Sequence, residues 1–91
     1  KIKRSEEWQG VDEKLFELLR AKRAELARHK HVPAYIIFGD KTLIDMAQSK
    51  PLTIEQFSEV FGVGATKQKA YGEIFIDVIK EYLGKGVGVS F

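Results

Sequence analysis

The sequence predicts an all-α fold of five short helices, and three observations carry that expectation. Apolar residues recur at helical spacing in successive windows, cap and stop residues punctuate those windows, and no apolar-polar alternation finds a pairing partner. The brief apolar run 34–38 is the one strand-like stretch, and it lies between two helical patterns.

Residues 1–10 are charged and aperiodic and read as a linker, in which Trp8 is the one residue suited to pin the segment to a core. The first helix is expected from Val11 or Asp12 to about Arg28. Leu15, Phe16, Leu19 and Leu26 keep its apolar face, and the aliphatic stem of Lys22 fills the gap between them. Pro33 ends this element by biasing Val32 away from helical backbone. Within 36–38 the apolar residues are expected to feed the core. Asp40 is the expected N-cap of a second helix over 41–49, with Leu43, Ile44 and Ala47 on one face, and Lys50-Pro51 stops it. Thr53-Ile54-Glu55-Gln56 is a capping box opening a third helix that presents Phe57, Val60 and Phe61. After the Gly62-Val63-Gly64 turn, a fourth helix begins near Ala65. Gly72 is expected to bend or break it before a fifth helix carrying Ile74, Phe75, Val78, Ile79, Tyr82 and Leu83. Phe57, Phe61, Phe75 and Tyr82 are assigned to the core. The glycine-rich residues 84–91 read as a flexible tail.

Ninety-one residues support one domain with a modest core. No apolar run approaches membrane-spanning length and no secretory pattern opens the chain. Without cysteine there is no disulfide, no thiolate catalysis and no cysteine-based zinc site, which fits a reducing compartment. The single methionine, Met46, is internal, so a domain cut from a longer protein is expected. A net charge of +2 does not by itself mark a nucleic-acid binder. Its distribution is more telling: Arg20, Lys22, Arg23, Arg28 and Lys30 crowd the end of the first helix. Complementing the helix dipole explains that gradient as well as a binding surface does.

Leu15-Phe16, Leu19-Arg20, Val32-Pro33-Ala34-Tyr35, Phe38, Asp40, Thr42-Leu43-Ile44 and Met46-Ala47 together resemble the HRDC (helicase and RNase D C-terminal) domain. Pro51-Leu52-Thr53, Phe57, Gly62-Val63-Gly64, Lys67 and Tyr71-Gly72 extend the resemblance, which covers about residues 11–83. The spelling is most like the domain at the end of bacterial RecQ-type DNA helicases. That resemblance implies a compact orthogonal bundle, related in packing to SAM and helix-hairpin-helix folds, with no catalytic residues and no cofactor of its own. It implies a parent helicase, using ATP and Mg, in the bacterial cytoplasm and associated with the nucleoid. The implied role is weak binding of single-stranded or partial-duplex DNA by a monomeric module, in DNA repair and recombination. Docking onto the helicase core of the same chain, or onto another protein, is the alternative, and an RNA-binding context beside an RNase D-type exonuclease shares the fold.

The same resemblance points to Tyr35 as a single-strand contact. An aromatic platform contributes about 1–3 kcal/mol per stacked base with little sequence preference. The competing reading buries the ring against the next helix and leaves only the hydroxyl outside. Arg28, Lys30 and Lys41 are the candidate phosphate partners nearby. The Gly62-Val63-Gly64 turn resembles a helix-hairpin-helix turn, where free N–H groups at a helix start hold phosphate and Lys67 and Lys69 add charge. Glycines also serve tight helix connections with no ligand. His29 and His31, two residues apart, do not have the four-residue spacing of a helical metal pair, and Glu55 and Glu59 read as a solvated face.

Overall fold

The computed structural model describes residues 8–84. Expectations for 1–7 and for the tail beyond Gly84 lie outside the described residues. Among the described residues five helices follow in order: α1 (Glu13–Lys30), α2 (Ala34–Ile37), α3 (Asp40–Ser49), α4 (Ile54–Phe57) and α5 (Ala65–Tyr82). There is no strand among the described residues. The number matches the expected five, but two elements are drawn differently. The strand-like run contains a one-turn helix, and the expected fourth and fifth helices are a single continuous α5.

Asp12 caps α1, its Oδ1 accepting from the Leu15 N–H at 3.2 Å. The helix runs past Arg28 to Lys30 and ends on His31, which takes a left-handed backbone at φ 57°. The His31 N–H donates to the Arg28 carbonyl and the Val32 N–H to the Ala27 carbonyl, so the last turn is closed before Pro33 acts. Leu15, Phe16, Leu19 and Ala27 are buried on its inner face. The gap in that face is filled by Arg23 and not by Lys22, which stays half-exposed 3.1 Å from Glu25. Arg23 is 8% exposed, and its guanidinium donates to the Phe38 carbonyl at 3.0 Å and to Asp40 Oδ1 at 2.9 Å.

Asp40 is therefore occupied elsewhere, and Gly39, which supplies no side-chain bond, is the N-cap of α3. The face of α3 is wider than expected. Thr42 and Met46 join Leu43, Ile44 and Ala47 in burial because the 61–64 loop also packs against this helix. Thr53 caps α4 as the capping box requires, accepting from the Gln56 N–H at 3.1 Å. The Gln56 amide oxygen reaches back one residue further, to the Leu52 N–H at 2.8 Å.

Helix α4 lasts one turn. Beyond it the chain proceeds through tight turns, Val60 N–H to Phe57 carbonyl and Val63 N–H to Val60 carbonyl. Helical spacing no longer applies there: Phe57 and Val60 are buried, while Phe61 rotates outward and is 60% exposed. Assigning Phe61 to the core is therefore incorrect. Gly72 does not break α5. A Cβ there would stand 3.0 Å from Ile54 Cδ1 and 3.5 Å from Phe57 Cδ2. The missing side chain lets α4 lie directly on α5, a packing role with no bend.

Phe38 is the centre of the core. Its ring meets Phe75 at 5.3 Å, Tyr71 at 5.8 Å and Phe57 at 6.1 Å between centroids, all edge-to-face. Of 36–38, Ile37 and Phe38 are buried and Ile36 is exposed. From the expected linker, Trp8 is buried, with its ring edge-to-face on Phe16 at 4.7 Å. Tyr82 is half-buried, and its hydroxyl donates to Asp12 at 2.8 Å, joining the end of α5 to the start of α1.

Two predictions follow from these contacts. Arg23→Ala should cost about 2–3 kcal/mol, because it strands the buried Phe38 carbonyl and empties the stem's place in the core. Asp40→Asn, at an exposed carboxylate, should cost less than about 1 kcal/mol; urea unfolding of both variants measures the difference. The second concerns pH. Partial desolvation raises the Asp12 carboxyl, but hydrogen bonds from Tyr82 and Leu15 and the charge of Lys50 outweigh it and hold the group below its ordinary 3.8. The Asp12 bond correspondingly raises Tyr82 above its ordinary 10.0. The Asp12 contribution is therefore complete above 3.8 and is lost as pH falls from there through the lower folded value. The Tyr82 contribution is lost as pH climbs from 10.0 through the higher one. Tyr82→Phe should flatten the melting temperature at both extremes and leave its neutral-pH value only slightly lower.

Candidate nucleic-acid interface

Helix α2 exists because two constraints bracket it. Pro33, extended at φ −63° and ψ 152°, opens it, and Phe38 returns to extended backbone so that its ring enters the core. One helical turn between fixed ends leaves Ile37 inward and Tyr35 and Ile36 outward. Tyr35 is 69% exposed, so its ring is not buried against α3. That resolves the geometrical alternative in favour of an available aromatic face.

The six residues named from the sequence do not form one patch. Lys67, in the first turn of α5, holds its Nζ 5.8 Å from the centre of the Phe38 ring. Lys30, at the end of α1, stands 5.7 Å from the Tyr71 ring centre, and Tyr71 itself packs on Phe38. The two lysines thus flank one aromatic pair, reached from Tyr35 by a single turn of chain. Lys41 lies beside the exposed Phe61, 6.0 Å from its centre. The structure brings Lys30 and Lys67 to the Phe38–Tyr71 pair, with Phe38 three residues beyond Tyr35 and Lys41 three residues beyond Phe38.

Arg28 and Lys69 lie apart from that group. Arg28 is two residues from Lys30, about 200° around a helix, and belongs to the flank of Glu25. The Glu25 carboxyl is held below its ordinary value first by Lys22 and then by His29 and Arg28. Lys69 is likewise about 200° from Lys67. It lines a shallow hollow with Ile54, Ala65, Gln68 and Glu73, on the side of α5 that faces α4. Two-residue spacing on a helix was the available sign that neither pair could share one face.

The 61–64 loop is shaped by contacts that sequence reasoning did not find. The Phe61 N–H donates to Asp45 Oδ2 at 2.8 Å. Gly62 is left-handed at φ 79°, and a Cβ there would stand 2.7 Å from Thr42 Oγ1. Gly64 caps α5 without a side-chain bond, and open space lies where its Cβ would be. Ala65 and Thr66, the first two residues of α5, are exposed, and Lys67 follows them. Among the described residues, no helix is long and apolar enough to cross a membrane.

Comparison with known proteins agrees with this architecture. The family model described as HRDC domain matches residues 12–79. The ATP-dependent DNA helicase RecQ of Pasteurella multocida is 39% identical over 71 residues, which cover 78% of this chain and 11% of that protein. The ATP-dependent DNA helicase RecQ of Bacillus subtilis is 35% identical over 71 residues, covering 78% and 12%. The chain therefore spans only about a tenth of the length of the curated relatives it matches. Among solved structures, the D. radiodurans RecQ HRDC domain 3 superposes with a TM-score of 0.74 at 36% identity, over 76% of this chain and 91% of that one. The relatives, the superposition and the matched span lead to one assignment: the chain belongs to the HRDC domain family.

Proposed function

We propose that this domain is a non-catalytic accessory module of a RecQ-type, ATP- and Mg-dependent DNA helicase acting in DNA repair and recombination, and that it binds single-stranded or partial-duplex DNA. The observation that carries the reading is the exposed Tyr35 ring on a one-turn helix, followed by a segment whose core ring lies under Lys67. A base stacks on Tyr35, while Lys67 and Lys30 meet the adjoining phosphates. Blunt duplex binds less well because its bases are already stacked. The binder works as a monomer in the bacterial cytoplasm, where the motor of the parent chain supplies the translocation that this domain directs to its substrate.

Few cations take part, so affinity is modest, on the order of 10⁻⁴ to 10⁻⁶ M at moderate salt. Docking on the parent's own helicase core is a second reading, favoured by a hollow between α1 and α5 lined by Leu18, Ala21, Val78 and Tyr82 together with the charged Lys22, Glu25 and Glu81, with Leu18 exposed.

Fluorescence anisotropy with labelled oligothymidylate tests the first reading. Tyr35→Ala should weaken binding roughly tenfold. Lys67→Glu should weaken it and reduce the salt slope by about one, whereas Lys69→Glu and Arg28→Glu should change it much less. Circular dichroism confirms that each variant is folded. If folded Tyr35→Ala and Lys67→Glu both bind as the parent domain does, this surface is not the binding site; no binding at low salt turns the choice to docking.

A further inference from the structure

We propose that Phe61 is a second base-stacking platform, so that one strand runs from Tyr35 past Lys67 to Phe61 with Lys41 as its far phosphate partner. The inference rests on the DNA-binding reading above and extends it to a residue whose spacing had placed it in the core.

Four observations support it. Phe61 is the largest wholly apolar side chain with an exposed face among the described residues, at 60%. Its position is held from three sides: the backbone N–H by Asp45, the next residue by the close approach of Gly62 to Thr42, and the whole loop by the buried Val60. A loop already held in place loses little backbone freedom when a base covers the ring. The ammonium of Lys41 stands 6.0 Å from the ring centre, where it meets the phosphate of a nucleotide stacked there. Finally, the chain runs from Phe61 through Gly62 and Gly64 directly into the first turn of α5, which carries Lys67 and has open space at Gly64 and no side-chain cap.

Those neighbours argue for a nucleobase and against a protein partner. The centre of a protein interface needs several contiguous apolar side chains. Around Phe61 the loop offers Gly62, the partly buried Val63 and Gly64, with Glu59 exposed two residues before the ring; Lys41 stands beside the ring, and Asp45 is engaged by the Phe61 N–H. The other exposed apolar residues lie elsewhere: Tyr35 and Ile36 on α2, Leu18 on α1 and Leu83 after α5. An isolated ring beside a cation is the arrangement that single-strand binders use repeatedly.

The spacing suits one strand. Tyr35 and Lys41 are six residues apart, at most about 20 Å of chain and less with α2 helical. Phe38 lies between them in sequence, buried under Lys67, so the position between the two exposed rings offers a cation and no third platform.

The test is anisotropy with labelled oligothymidylate of about 16 nucleotides, using Phe61→Ala, Phe61→Leu, Phe61→Trp and Tyr35→Ala. The exposed ring makes all the Phe61 variants compatible with the fold, and matching thermal melts verify this. Phe61→Ala and Phe61→Leu should each bind roughly tenfold more weakly, and Phe61→Trp at least as tightly as the parent. Unchanged binding by Phe61→Ala alongside weakened Tyr35→Ala would overturn the second platform and leave the Tyr35 reading in place. Parent-like affinity in Phe61→Leu would overturn stacking as the mechanism. If both alanine variants bind normally, the DNA-binding surface itself is wrong, which is a separate and recognisable result.

Discussion

The fold depends on holding Phe38 at its centre. Its ring touches aromatic residues from α4 and twice from α5, and its carbonyl accepts from Arg23 of α1. Burying a ring at the end of so short a helix also buries the carbonyl, which needs a donor. Arg23 supplies one, and because Asp40 takes another of its N–H groups, the cation is neutralised at the point where α3 begins. Three helices are thereby oriented about one residue. A hydrophobic side chain at position 23 would fill the same space and leave the carbonyl unpaired.

The candidate interface is a consequence of this arrangement. Phe38 draws the chain inward immediately after α2, so the preceding turn must present its other side to solvent, and that side carries Tyr35. Lys67 and Lys30 hold their ammonium groups over the aromatic pair Phe38–Tyr71, where the ring faces attract the charge. The lysines proposed to meet phosphate are therefore also packed against the core aromatic pair. At the other end of the molecule, Tyr82 and Lys50 converge on Asp12 and tie α5 and the end of α3 to the start of α1. The platform is carried by a bundle closed at both ends.

Most elements were legible from local chemistry. The Thr53 cap, the stop before Pro33, the apolar faces of α1 and α3 and the turn at Gly62-Val63-Gly64 depend on residues within a few positions of one another. The misread positions depend on distant ones. Lys22 and Arg23 are adjacent and equally able to bury a stem, and Phe38 and Asp40 select Arg23. Gly72 is ambiguous as a sequence symbol, and the proximity of Ile54 and Phe57 decides that it packs. Phe61 has helical spacing from Phe57, but α4 stops after one turn and the spacing loses its meaning.

The sequence by itself determined the helical class, the family and Tyr35 as the residue of interest, since these rest on local periodicity, caps and a linear pattern of residues. Only the tertiary structure decided which rings the basic residues stand beside. It set Lys30 and Lys67 about one aromatic pair, sent Arg28 and Lys69 to other faces, and brought Lys41 to an exposed Phe61. Charge along a chain is a one-dimensional quantity, whereas a binding surface depends on which helix faces meet. That meeting is governed by the aromatic centre at Phe38.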